Sequence, residues 1–562
     1  MNLEGRKVPV IYLNIERLNN LVGEKLTYEK LDNLLFSLKS ESKVLDGSRV
    51  EVEVNSDRPD LFVSEGMARA LKGLLEIEEG LFQPKTKESE YSARIFEVLS
   101  RPYIAVGVLK GIELGEEGLK ELIQFQEKLH ITVGRKRKKV AIGIHDLRKI
   151  PDKKLEYTMI SLDMEMIPLG SKTKMKIKDV LKETEQGRSY GEISVLGGAH
   201  PAIISGGEII SLPPVINSEI TRVEPDSREL LIDVTGTDRD SVIKTLDLIC
   251  SLLNEHKNSI IEKVKIIEQP TEVIRQDPPL ARSEVSLQKN YVKKILGFDI
   301  RNEDIVHHLL RMRFGISKEK DDSLDAIIPE YRVDIMHPID LVEEIAMAYG
   351  YNRIPVKILS LKTEGSLDHL STISRAIRLL LIGLAFQEIQ SFVMMGTHAE
   401  LFRTGNQKLL KIKNPVSEEM GWVRPNLASS LLTFLIENQH AELPLKIFEI
   451  GDYAYQIGEK ITQKKSVALA IMKDELSFEE IQAPLYSLLS SLGLEVKFRR
   501  DSISYLLEGR AAKVIVNDIP IGIVGEVHPY VLTSMGIKYP VGIAELDLDT
   551  LSNIIARKQS SS

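Results

Sequence analysis

The stretch YRVDIMHPIDLVEEIAMAYGYNRIP, residues 331 to 355, sets four carboxylates beside a histidine inside an apolar and aromatic frame. Solvated acidic faces lack such flanks, so Asp334, Asp340, Glu343 and Glu344 call for a reason. Pro338 suits the first position of a helix, where its missing N–H removes no hydrogen bond. From there Asp340, Glu343 and Glu344 stand at i, i+3 and i+4, a spacing that stacks side chains on one helical face. Asp340 in the first turn is favoured by the helix dipole. Glu343 and Glu344 lie beyond that turn, and like charges at this spacing repel. A hard divalent cation would offset the repulsion. Magnesium takes oxygen ligands and keeps several waters, so one or two carboxylates bound directly, with the others one water away, would serve. A salt bridge to a partner and a plain helix start are the other readings, and the residues alone leave all three open.

Just upstream, ILGFDIRNEDIVHHLLRM (295–312) resembles LVGEKLTYEKLDNLLFSL (21–38) when Gly297 is set on Gly23. Ile300 then meets Leu26, Glu303 meets Glu29, Ile305 meets Leu31 and Leu309 meets Leu35. Both copies put a turn before a helix with apolar residues three and four apart. Both run on to a strand and a helix, the first through VEVNSDRPDLFVSEGMARALKGL (52–74). The repeat predicts two small related α+β modules, residues 1–85 and 268–357, flanking a mixed α/β domain at 86–267. In that middle domain, strand-like runs such as YIAVGVLKGI, KVAIGIHDL and ELLIDVTGTD alternate with helices such as GLKELIQFQEKLHITV. The Pro-rich EQPTEVIRQDPPLAR (268–282) reads as a linker. A last domain, 358–562, opens on the amphipathic helix LSTISRAIRLLLIGLAFQEI.

With 562 residues, several domains are expected. The composition, 43% hydrophobic and 28% charged, is that of a globular chain. The apolar run LLLIGLAF (379–386) is far too short to span a bilayer, and the first residues carry no apolar signal segment. One cysteine, Cys250, excludes a disulfide framework and a cysteine-ligated zinc site within the chain. These features predict a cytoplasmic protein with no membrane partner. The net charge of −8 argues against wholesale nucleic-acid coating, although a local patch would suffice for RNA. GRKRKK (134–139) supplies five successive cations, as a solvated loop or as such a patch.

No HExxH, GxSxG, Walker A or GxGxxG pattern is present. His145 follows a strand and could face a cleft, although a core histidine with its hydrogen bonds met is the favoured reading. In LPPVINSE (212–219) a strand breaks at Pro213-Pro214 and then offers Asn217 and Ser218. Asp233 and Thr235, two apart near a strand end, share one face. Ordinary turn chemistry explains such residues as well as a pocket rim does.

Taken together, NSDRPDLFVSEGMARALKG, KVAIGIHD, LPPVINSE and the opening stretch resemble the beta subunits of phenylalanine–tRNA ligases of the archaeal/eukaryotic type. NPVSEEMGWVRPNLASSLLTFLIENQHAELPLKIFEIGDYAY (414–455) belongs to the same pattern. The likeness covers nearly the whole chain. It implies an (αβ)2 heterotetramer that uses ATP to join phenylalanine to tRNA(Phe), with the synthetic site on the alpha subunit. The final domain would be a class II synthetase-like antiparallel-sheet domain without catalytic motifs. In class II enzymes an arginine two residues before a glutamate binds ATP, whereas this chain has Arg424-Pro425-Asn426. The resemblance also implies a magnesium ion shared with the alpha subunit and held through Asp334, Asp340, Glu343 and Glu344. The middle domain resembles the family's editing domain, which hydrolyses mischarged Tyr-tRNA(Phe), with Ser211, Asp233 and Thr235 as its pocket residues. The alternative is a tRNA-binding assembly scaffold with no editing activity.

Overall fold

The computed structural model describes residues 9–358 and 363–561, and the chain divides into two compact units with the boundary after residue 358.

In the first unit the repeat is visible element by element. Strands Val10–Asn14, Arg49–Glu53 and Glu41–Val44 form a three-stranded sheet in that order. Strands Ser283–Gln288, Ser323–Ile328 and Gly315–Glu319 form its counterpart. Helices Ile15–Val22, Tyr28–Ser37 and Ser64–Leu74 correspond to Lys289–Leu296, Asn302–Arg311 and Pro338–Tyr349. The first helix of each set ends at a left-handed glycine, Gly23 with φ 83° and Gly297 with φ 77°. A side chain there would strain the backbone, which is why both copies keep glycine. The aligned positions Leu26, Ile300, Leu31, Ile305, Leu35 and Leu309 are all buried.

Between these modules runs a ten-stranded mixed sheet. Nine of its strands run in the order 216–217, 208–212, 199–205, 154–161, 86–95, 260–268, 103–110, 229–236 and 140–146, and the tenth, 273–277, pairs with 260–268 off this path. Two neighbouring pairs are parallel, 260–268 with 86–95 and 86–95 with 154–161. Helix Arg239–Leu253 packs its Leu246, Ile249 and Leu253 against Ala105, Leu109, Ile232 and Val234 on one face. The alternate residues Ile104, Val106, Val108 and Leu231 fill a separate core on the other. The stretch 268–282 is no free linker: Val273–Asp277 is a strand paired antiparallel with Ile260–Glu268. Arg275 secures it by donating to Glu268, to Asp277 and to the Ile104 carbonyl. Proline density signalled a break in regular structure but not that the residues between the prolines would meet a sheet edge.

The second unit is built on a seven-stranded sheet in the order 387–388, 445–457, 460–472, 541–547, 519–527, 506–516, 496–500. Every pairing is antiparallel except that of 387–388. Along strand Lys460–Met472, Val467, Leu469 and Ile471 face one core, and Ala468, Ala470 and Met472 face the other. The first core is closed by helices His369–Gly383, Phe478–Ser491 and Leu548–Ser561, the second by Leu427–Glu437 and Pro529–Met535. No helix among the described residues is long and apolar enough to cross a membrane.

Candidate functional site

The ten-stranded sheet of the first unit curls until its two terminal strands meet. Asn217 Nδ2, at one end, donates to the Ile144 carbonyl at the other over 3.2 Å. A cavity of about 440 Å³ lies at this junction. Leu119, Leu122 and Ile123 of helix Gly115–Ile131 make an apolar side, and Ser211, Asn217, Thr221 and Asp233 bring polar atoms to the lining. An apolar wall with a few converging polar groups is the usual make-up of a small-molecule site.

The polar residues are tied to one another. Ser211 Oγ donates to Asn217 Oδ1 at 3.1 Å. His145 is fully buried between two partners: its Nε2 lies 2.9 Å from Asp233 Oδ2 and its Nδ1 lies 2.7 Å from Thr221 Oγ1. With Asp233 ionised, Nε2–H donates to the carboxylate and Nδ1 accepts the Thr221 hydroxyl. Gly143, paired with Asp233 across the strands, makes the arrangement possible. A Cβ at that position would sit 1.9 Å from Asp233 Oδ2. No hydrogen bond among the described residues uses the second oxygen, Oδ1, and Asp233 lines the cavity. The carboxylate therefore has one oxygen anchored and one to offer.

Of the three pocket residues expected from sequence, the structure brings Ser211 and Asp233 into the cavity and leaves Thr235 out. Thr235 is fully buried behind it. Its hydroxyl accepts from Arg101 Nε at 2.8 Å and its carbonyl from Arg101 Nη2 at 2.7 Å. Arg101 has no exposed surface, and burial lowers its guanidinium to about 10. Thr235 is thus half of a cradle for a buried cation. Sequence reasoning missed Thr221 and Gly143; His145 is the buried, hydrogen-bonded histidine expected, and its partner Asp233 is what the sequence did not supply. The alternation in AIGIHD, with a glycine two residues before a histidine on a strand, was the one available signal.

The acids of the 331–355 stretch do not share a single face or converge on one point. No three of them bring ligand oxygens within 4.8 Å of one another. Helix Pro338–Tyr349 begins at Pro338 as expected, with His337 as its N-cap. Asp340 closes a capping box, its Oδ2 accepting from the backbone of Met336 at 2.8 Å and of His337 at 2.7 Å. Glu344 is buried and Glu343 is exposed, because adjacent helical residues point about 100° apart. Arg332 takes Asp334 in a forked pair, Nε to Oδ1 at 2.8 Å and Nη2 to Oδ2 at 2.6 Å. It also binds Glu344 at 2.7 and 3.0 Å. Burial works to raise the Asp334 carboxyl, and the Arg332 charge overcomes it, holding the group at about 2. Glu343 pairs with Lys39 at 3.0 Å.

The repeat supplies a comparison within the chain. In the first module Arg58 grips Asp60 in the same i, i+2 fork, at 2.9 and 2.7 Å. Asp334 therefore has a structural twin. As direct ligands of one ion the four acids do not fit as a set, since Asp334 and Glu344 are engaged by Arg332. Among the described residues, no hydrogen bond or ion pair uses Asp340 Oδ1 or Glu343 Oε2.

In the second unit Arg424 is buried and held through its Nε and Nη1, and no hydrogen bond among the described residues uses its Nη2. It donates to the Asp452 carbonyl, to Ser391 and Ser430, and to Glu449 at 2.7 Å. Glu545, buried, accepts from the backbone N–H groups of Leu427 and Ala428 and from Ser466. Both charges are thus held within the second unit by its own groups.

With this geometry in view, known proteins can be set beside the chain. A family model described as the tRNA synthetase B5 domain matches residues 285–351. A second, the phenylalanyl tRNA synthetase beta chain CLM domain, matches 354–548. The class is therefore that of aminoacyl-tRNA synthetase chains. The phenylalanine–tRNA ligase beta subunit of Saccharolobus solfataricus is 42% identical over 98% of this chain and 99% of its own length. That of Sulfurisphaera tokodaii is 41% identical over 97% of this chain and 99% of its own. Among solved structures, an N-terminal fragment of the phenylalanyl-tRNA synthetase beta-subunit from Pyrococcus horikoshii is similar, with TM-score 0.58 and 31% identity. It covers 61% of this chain and all of the fragment. The chain belongs to the phenylalanine–tRNA ligase beta subunit family.

Proposed function

We propose that this chain assembles with an alpha subunit as an (αβ)2 heterotetramer, supports its ATP-dependent charging of tRNA(Phe), and hydrolyses Tyr-tRNA(Phe) in its own cavity. The observation that carries the hydrolytic part is Asp233: a buried carboxylate with one oxygen anchored by His145 and the other free in an otherwise largely apolar space. A synthetic pocket shaped for phenyl rejects an added hydroxyl only about a hundredfold, so a second sieve is needed. A site that hydrogen-bonds the hydroxyl works the other way, because phenylalanine would leave the carboxylate unpaired. Asp233 Oδ1 is the acceptor for that phenol O–H. Ser211 is placed to orient the ester and not to attack it, since its hydroxyl donates to Asn217 and not to a base. Water is then the nucleophile: it adds to the ester carbonyl, the bond to the ribose oxygen breaks, and that oxygen leaves with a proton as free tRNA.

The buried pairing of Arg424 with Glu449 supports assigning nucleotide chemistry to the alpha subunit, because a triphosphate needs cations whose charge is not already met within the chain. Magnesium belongs to the same reading. Asp340 and Glu343 would hold it directly at the border with the alpha subunit, completed by waters and partner groups. Asp334 and Glu344 would add charge from behind unless Arg332 releases them. Chelation of magnesium, or Glu343→Ala, should then weaken alpha–beta association while leaving the fold of this chain intact.

The test of hydrolysis uses the full chain and Tyr-tRNA(Phe). Deacylation above the uncatalysed rate is expected, with Phe-tRNA(Phe) spared and Asp233→Asn slower by about a hundredfold or more. Intact tRNA binding with no deacylation would leave the chain an assembly scaffold.

A further inference from the structure

The turn at 134–139 has no part in the chemistry above, and the structure sorts its five cations into two kinds. Arg137 points inward: its guanidinium donates to the carbonyls of Pro214 at 3.3 Å and Val215 at 2.9 Å and to Glu127 at 2.6 Å. It also lies over the Tyr190 ring, 4.5 Å from the centroid, and lines the cavity. Lys139 stands 3.5 Å from Asp238. Arg135, Lys136 and Lys138 are exposed, and no ion pair among the described residues involves them.

The backbone that carries them is unusual. Arg135, Lys136 and Arg137 have φ of 48°, 56° and 64°. Left-handed residues other than glycine normally occur singly, and a run of three persists only where its surroundings hold it. Here the Arg137 N–H bonds the His130 carbonyl at 3.2 Å, and the Lys139 N–H bonds the Gly134 carbonyl at 2.9 Å. Buried Arg101 donates to the Arg137 carbonyl at 3.2 Å. A solvated loop needs no such tether to a cavity wall.

We infer that this turn is a phosphate-binding surface for the single-stranded 3′ end of RNA, seating the backbone while the attached ester enters the cavity. The inference rests on the hydrolytic reading for the direction of entry, but the surface is testable without it. Arg135, Lys136 and Lys138 lie along one tight turn and suit a repeating backbone anion, and Arg137 links that turn to the cavity rim.

The probe is an acceptor-stem RNA minihelix ending in CCA, titrated against the full chain by fluorescence anisotropy between 50 and 200 mM salt. Two variants remove the charge: R135A/K136A/K138A, and R135G/K136G, which suits the left-handed backbone and so guards against misfolding. The triple variant should bind about tenfold or more weakly, with a salt slope shallower by about 2, near 0.7 for each lost contact to a single strand. R135K should bind like the parent chain. Parent-like affinity and slope in both charge-removing variants, or no RNA binding by the parent chain at 50 mM salt, would overturn the inference. So would competition by polyglutamate as effective as that by RNA. Loss of minihelix binding in the variants of a chain that never deacylates Tyr-tRNA(Phe) would sustain the surface and sink the hydrolytic reading. Deacylation with an unchanged KM in the triple variant would do the reverse.

Discussion

The cavity of the first unit and the buried polar networks of the second contain the same kinds of side chain in opposite states. Asp233 keeps one oxygen free beside about 440 Å³ of space. Both oxygens of Glu545 are taken up inside the protein, and the charge of Arg424 is met by buried Glu449. A buried carboxylate with an open oxygen is poised to meet a ligand, whereas a charge paired with its opposite is part of the frame. The difference teaches that residue type alone does not mark a site. The arginine that a nucleotide-binding pattern would point to is locked, and the aspartate that periodicity barely signals is open.

The comparison breaks most readily at Arg424. Arg424→Met should destabilise the chain by about 3–5 kcal/mol, because Glu449 is left as an unpaired buried charge. Denaturant unfolding measures this. Unchanged stability together with altered nucleotide binding would move Arg424 from frame to site.

Next in size is a pH effect in the first unit. His200 is buried, its Nδ1 lies 2.8 Å from the Pro201 carbonyl and its Nε2 has no hydrogen-bond partner among the described residues. Burial lowers it from 6.5 to about 4, with the Pro201 carbonyl opposing and the charge of Arg101 adding to the shift. The unfolded chain therefore binds this proton first. The stability that neutral His200 contributes is present above pH 6.5 and lost as pH falls toward 4, by about 3 kcal/mol at most. His200→Gln should flatten this part of the stability profile, which lies largely above the carboxylate range. An unaltered profile would show that the ring charges in place.

A smaller effect sharpens the contrast inside the cavity domain. Thr235→Val removes the acceptor for Arg101 Nε and should cost about 1–3 kcal/mol of stability. Hydrolysis measured well below the melting temperature should change little, unlike in Asp233→Asn. Equal losses of activity in the two variants would return Thr235 to the site.

Much of the architecture was legible in the chain itself. Gly23 and Gly297 mark equivalent helix ends because only glycine takes the left-handed cap without strain. Pro338 starts its helix because its fixed φ and missing N–H suit the first turn. The alternation around Asp233 correctly put it on a strand, and the broken strand at Pro213-Pro214 pointed to the polar residues beside it. What misled was whatever depends on the other side of a contact. Thr235 shares a strand with Asp233 and serves a different neighbour. Glu343 and Glu344 are consecutive in the chain, yet one meets Lys39 near solvent and the other meets buried Arg332. The segment 273–277 reads as part of a linker until the edge of Ile260–Glu268 is there to pair with it.

By itself the sequence determined the repeat, the helix starts and stops, the family and the location of the acidic segment. These are set by local backbone preferences and by periodicities of three to four or of two residues, which act over short stretches of chain. Only the tertiary structure decided which carboxylate stands free and which is paired. That choice depends on groups brought together from distant parts of the chain, as with His145 and Asp233. Desolvation makes the pairing of a buried charge a property of the space around it, not of its place in the order of residues.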